Sequence, residues 1–207
     1  MIKKIILPTL LLTLILAFVI FFRHKASAEN KVIPAYIPLR NIDSTISYTH
    51  GNYSLTVRLS SLGKFGYRLS AQTKHDDTIT SQYAFTVNYP VYHFELGDLD
   101  EDGNVDICLG VIKKTHCDST LKKRLFFYRL DEGRVRPLWL GSKVSHELVD
   151  FRYVQKNNHS FVRTVEKEKN GNYLVAEYKW RGFGLELAQF VSRNINLNSA
   201  YEIFNQV

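Results

Sequence analysis

The stretch Phe94–Val111, FELGDLDEDGNVDICLGV, carries the reading of the whole chain. It places an acidic loop, Gly97–Asp106, between two apolar runs, Val91–Leu96 and Ile107–Ile112, that read as strands. Outward from it the same alternation of strand signal and turn continues. Tyr53–Leu59 alternates, and Phe65–Ala71 follows a turn at Leu62-Gly63-Lys64. Gln82–Val87 precedes the Asn88-Tyr89-Pro90 break, and Arg124–Leu130 with Val135–Leu140 predicts a hairpin. Phe151–Gln155, Phe161–Val165 and Tyr173–Trp180 follow, the last two joined across Lys169-Asn170-Gly171-Asn172, an Asn-Gly hairpin signal. Leu185–Val191 reads as a strand or a short helix. No window of residues 48–180 shows an apolar stripe of helical period, so the chain is expected to be all-β, with antiparallel sheets stacked or closed into a barrel.

Within the loop, carboxylates fall at positions 1, 3, 5 and 9 (Asp98, Asp100, Asp102, Asp106), and Gly103 stands at position 6. Four acids so close repel one another unless a cation lies among them, and hard oxygen ligands at this spacing suit Ca²⁺. Gly103 permits the sharp turn that returns the later ligands, and Asn104 offers its main-chain carbonyl. The loop is not an EF-hand, because position 12 is Leu109 and a strand, not a helix, follows. Nor is it a dockerin, which needs a second loop and helices.

A DxDxDGxxD loop wedged between strands resembles the calcium-binding hairpin of FG-GAP/VCBS repeats, the blades of integrin-alpha-type β-propellers. The likeness runs from about Tyr92 to Ile112 and extends loosely through the hairpin Leu125–Leu140. It implies side-chain ligands Asp98, Asp100, Asp102 and Asp106, a main-chain ligand at Asn104, and Ca²⁺ as the bound ion. Three segments of blade length fit the chain (52–96, 97–140 and 148–191), and only the middle one carries the loop. A propeller ring usually needs at least four blades. The expected architecture is therefore propeller-blade-like sheets, arranged as an incomplete propeller or as a β-sandwich. The stretches RPLWLGS and YLVAEYKWRGFGLE resemble segments of bacterial envelope proteins, a likeness that brings no activity with it.

The N-terminus points to the same compartment. Ile5–Phe22 is an apolar run long enough, as a helix, to approach the thickness of a bilayer core. Lys3 and Lys4 precede it, and Ala26-Ser27-Ala28 offers a cleavage site before Glu29. Residues 1–28 thus read as a signal peptide or a transmembrane anchor, 29–47 as a linker, 48–195 as the β domain and 196–207 as a polar tail. The expected location is the cell envelope or the exterior, beyond the cytoplasm. The net charge of +7 is misleading, because residues 1–28 hold four of the 27 basic residues and none of the 20 acidic ones. The remaining excess is too small to indicate nucleic acid.

Other chemistry is sparse. Cys108 and Cys117 are a possible disulfide in an oxidising compartment, with two separate thiols the alternative. The seven histidines form no metal or nucleophile motif, and His93 reads as a packed or surface residue. Glu166, Glu168, Glu177 and Glu186 read as solvated charges on strand faces. Trp139, Trp180 and Phe183 are core aromatics or a surface for a protein or glycan. No residue is assigned a catalytic role. The leading expectation is a non-enzymatic calcium-binding module for interaction, adhesion or structure. The alternative is a calcium-stabilised carbohydrate-active hydrolase or lyase with dispersed acids.

Overall fold

A computed structural model of the chain describes residues 44–63, 66–116, 118–131, 134–141 and 144–206. The apolar run, the cleavage site and Cys117 lie outside these residues. Among the described residues no helix is long and apolar enough to cross a membrane.

Strands β1 (Ser44–His50), β2 (Tyr53–Ser61), β3 (Tyr67–His75) and β4 (Thr78–Val87) make the first sheet. The second holds β5 (Val91–Gly97), β6 (Asp106–Thr115), β7 (Asp118–Asp131) and β8 (Arg134–Trp139). The third holds β9 (Glu147–Lys156), β10 (His159–Lys167), β11 (Tyr173–Trp180) and β12 (Leu185–Ile195). Within each sheet every strand pairs antiparallel with its neighbour in sequence, so each sheet is a four-stranded meander. The fold is all-β with open, blade-like sheets. Three units match the three expected from the sequence, but β5 opens the second sheet rather than closing the first. The tether is also shorter than expected, since β1 begins at Ser44. Leu185–Val191 belongs to a strand, not a helix.

The apolar run Ile107–Ile112 marks the centre of the stack. Side chains alternate across a strand, so a strand buried on both faces has no polar positions to show. Ile107, Leu109 and Val111 join Leu55, Val57, Leu59 and Leu69 of the first sheet in one apolar cluster. Cys108, with Leu125 and Phe127, packs instead against Phe151, Val162, Leu174 and Ala176 of the third sheet. Gly110 lets that second contact close, because a Cβ there would stand 2.6 Å from the Tyr92 ring and 2.9 Å from that of Phe151.

The outer face of the third sheet is covered by helix α1 (Leu197–Asn205), with Ala200 and Phe204 buried against Val165 and Val175. The segment expected to be a polar tail thus contributes a helix with buried apolar side chains. Asn196 caps the helix by accepting the Ser199 N–H at 2.9 Å, which satisfies one of its orphan donors. At the other end Arg163 donates to the carbonyls of Ile203 and Phe204, each at 3.2 Å, and to that of Gln206. A helix this short relies on such tertiary partners.

Three of the four glutamates read as solvated are buried: Glu166 and Glu177 are fully enclosed and Glu168 is 8% exposed. Each is enclosed with its hydrogen-bond partners, the condition for burying a carboxylate. Glu177 accepts from Lys156 (2.7 Å), Arg163 (3.0 Å) and Gln189 (2.7 Å). Glu166 accepts from the hydroxyls of Thr164 and Tyr178, both at 2.7 Å. Glu168 pairs with Arg193 at 2.6 Å. Glu186 alone is exposed, paired with Arg181.

Candidate metal centre

The acidic loop joins β5 to β6, so both of its ends are fixed by strands of the central sheet, with Gly97 paired to Asp106 across the ladder. That pairing brings position 9 back beside position 1. Gly103 takes φ +85°, the left-handed region that glycine enters without penalty. The Asp98 carboxylate accepts N–H bonds from Asp102 (3.1 Å) and Gly103 (3.0 Å), which draws the loop around its first residue.

The result is a cluster of three carboxylates. Asp98, Asp100 and Asp106 each present an oxygen within 4.8 Å of the others. The Asp102 carboxylate stands outside that group, and its Oδ1 accepts the Asn104 N–H at 2.7 Å. Asp106 is 1% exposed and accepts the Leu99 N–H at 2.9 Å. Burial, against that one bond and with three acids nearby, pushes its carboxyl up to about 7. Burial also raises Asp100, helped by Asp102 and opposed by Arg129. The Asp100 side chain is 9% exposed, with Arg129 Nη2 at 3.5 Å from its Oδ2. Its Oδ1 is buried and meets no hydrogen-bond donor.

Three carboxylates drawn this close carry an excess of negative charge that the Arg129 pairing with Asp100 only partly offsets. A hard cation supplies the opposite charge and accepts oxygen ligands in flexible geometry. The residues present therefore fit a divalent cation, with Asp98, Asp100 and Asp106 to hold it.

Sequence reasoning missed the loop's surroundings. Glu101, at position 4, accepts the Ser160 N–H at 2.6 Å and stands 3.4 Å from His159, across the seam to the third sheet. The Ser160 N–H bond chiefly holds its carboxyl below the ordinary glutamate value. Tyr153 covers Gly97, where a Cβ would lie 2.4 Å from its ring. Glu101 stands in the loop beside the aspartates singled out by spacing, but its partners, and Arg129 on β7, come from distant sequence and left no local signal.

Elsewhere, Cys108 is a buried free thiol, and its partner in the expected pair lies outside the described residues. Burial raises its pKa. His93 is half-buried against the Phe151 ring at 4.7 Å, with its Nε2 2.8 Å from Glu95. Trp139 stacks on Phe127 at 5.7 Å and Trp180 packs on the same core, whereas Phe183 is 91% exposed. Compared with protein-family models, curated proteins and solved structures, the chain finds no match.

Proposed function

We propose that this chain is an extracytoplasmic β domain, membrane-anchored or secreted, that binds one Ca²⁺ and serves as an interaction, adhesion or structural module. The observation that carries the reading is the Asp98–Asp100–Asp106 cluster with its orphaned Asp100 oxygen. The DxDxDGxxD spacing and the strand on either side of the loop support kinship with FG-GAP/VCBS repeats. The apolar run Ile5–Phe22 supports export or anchoring.

The ion's work in this account is mechanical. It neutralises carboxylates that the fold forces together, and so stiffens the β5–β6 connection at the middle of the stack. Extracellular calcium at millimolar levels matches the 10⁻⁴–10⁻³ M affinity typical of extracellular modules. The test is thermal melting of the full chain in detergent, with calcium and with chelator. A higher melting temperature with calcium, absent with magnesium at the same concentration, supports the reading. Superimposable curves reject it.

A further inference from the structure

Asp98 belongs to two networks at once. Its carboxylate joins the acidic cluster, while its main-chain carbonyl accepts from Ser160 Oγ at 2.5 Å and from the Tyr153 hydroxyl at 3.3 Å. Those two hydroxyls are themselves 2.9 Å apart, so they form one arm reaching from the third sheet. Glu101 makes the second arm through the Ser160 N–H. It does so at φ +59°, a conformation that non-glycine residues rarely adopt and that persists only where surroundings hold it. A third tie lies just before the loop, where Glu95 Oε2 accepts the Tyr153 N–H at 2.6 Å. Gly97 completes the contact by leaving room for the Tyr153 ring.

We propose that Glu101 is a positioning residue for the metal centre: it clamps the loop to Ser160, so that cation binding and docking of the β9–β10 hairpin on the central sheet form one linked equilibrium. The inference rests on the calcium reading and adds to it the means by which the ion's presence reaches a neighbouring sheet. Coupling between two sites is reciprocal: if calcium tightens the seam, the seam tightens calcium by the same factor. The linkage needs no movement of the strands. It requires only that the Asp98 backbone, shared by both networks, be better fixed when both are made.

The probe is calcium chloride and the protein is the full chain in detergent micelles. Calorimetric titration reads affinity, and hydrogen–deuterium exchange reads protection of residues 153–160. In the wild type, calcium slows exchange across 153–160. Glu101→Ala weakens calcium binding at least about fivefold, the lower end of ordinary coupling. It also abolishes the calcium effect on hairpin exchange. Glu101→Gln, which keeps an acceptor for the Ser160 N–H, restores most of both. If Glu101→Ala does not fold, Glu101→Asn carries the same expectation, because Asn tolerates the positive φ while its shorter side chain withdraws the acceptor from the Ser160 N–H. Calcium binding to the wild type with unchanged exchange at 153–160, or unweakened binding by the clamp variants, overturns the inference and leaves the calcium reading standing. Absence of calcium binding by the wild type defeats both.

Discussion

Replacing Asp106 by Asn separates the fold's need for the loop from the ion's need for the charge. Asp106 is buried and its carboxyl is raised from 3.8 to about 7. A folded-state pKa above the unfolded value means that the folded chain holds the proton more tightly. The group is therefore free of penalty below about pH 4, becomes destabilising as pH rises toward 7, and carries the full cost above it. At 1.36 kcal/mol per pH unit the cost approaches about 4 kcal/mol, and solvent and relaxation reduce it to about 2–4 kcal/mol. Asn keeps an amide oxygen for the Leu99 N–H and adds a donor facing Asp98 and Asp100. In chelator at pH 8, D106N should melt roughly 4–16 °C above the wild type, given about 2–4 °C per kcal/mol for a domain of this size. Calcium at 100 times its Kd should stabilise the wild type by about 2.7 kcal/mol and leave the variant unmoved. The assay is circular dichroism melting at pH 5 and pH 8, with and without calcium. A variant less stable than wild type in chelator at pH 8, and still stabilised by calcium, would refute both the burial argument and the ligand assignment.

Other perturbations test neighbouring contacts. Gly97→Ala places a Cβ 2.4 Å from the Tyr153 ring; overpacking of this kind should cost about 1–3 kcal/mol in urea denaturation. Arg129→Gln removes the tethered cation 3.5 Å from Asp100. Calcium affinity measured at low salt should rise several-fold, with a smaller difference at high salt. Arg163→Met takes one cation from the buried Glu177 and removes the Arg163 bonds to the α1 carbonyls, leaving that of Phe204 the longer bond from Arg152. A loss of about 3–5 kcal/mol in urea denaturation is expected, with faster amide exchange in 197–205.

The strands were legible because their signals are local: β-rich runs separated by Asn-Gly, Asp-Gly or Pro, each recurring within about a dozen residues. Ile107–Ile112 announced a strand, and its position between two sheets explains why it lacks polar alternation. The loop was legible for the same reason, since its carboxylates and Gly103 lie within one turn of chain. What stayed hidden depends on distant partners. Glu166 and Glu177 look like solvated charges until Tyr178, Lys156 and Arg163 are brought to them. The tail looks polar until Ala200 and Phe204 meet Val165 and Val175. Asp102 and Asp98 look equivalent by spacing, and the hydrogen bonds that distinguish them, from Asn104 N–H to the first and from Asp102 and Gly103 N–H to the second, are set by the folded turn.

The most direct measurement is calorimetric titration of calcium into the full chain, beside a variant with Asp98, Asp100 and Asp106 all replaced by Asn. The account predicts one site per chain with a Kd of about 10⁻⁴–10⁻³ M in the wild type and no heat of binding in the variant. A wild type that takes up no calcium, or a variant that binds it equally well, contradicts the account at its centre.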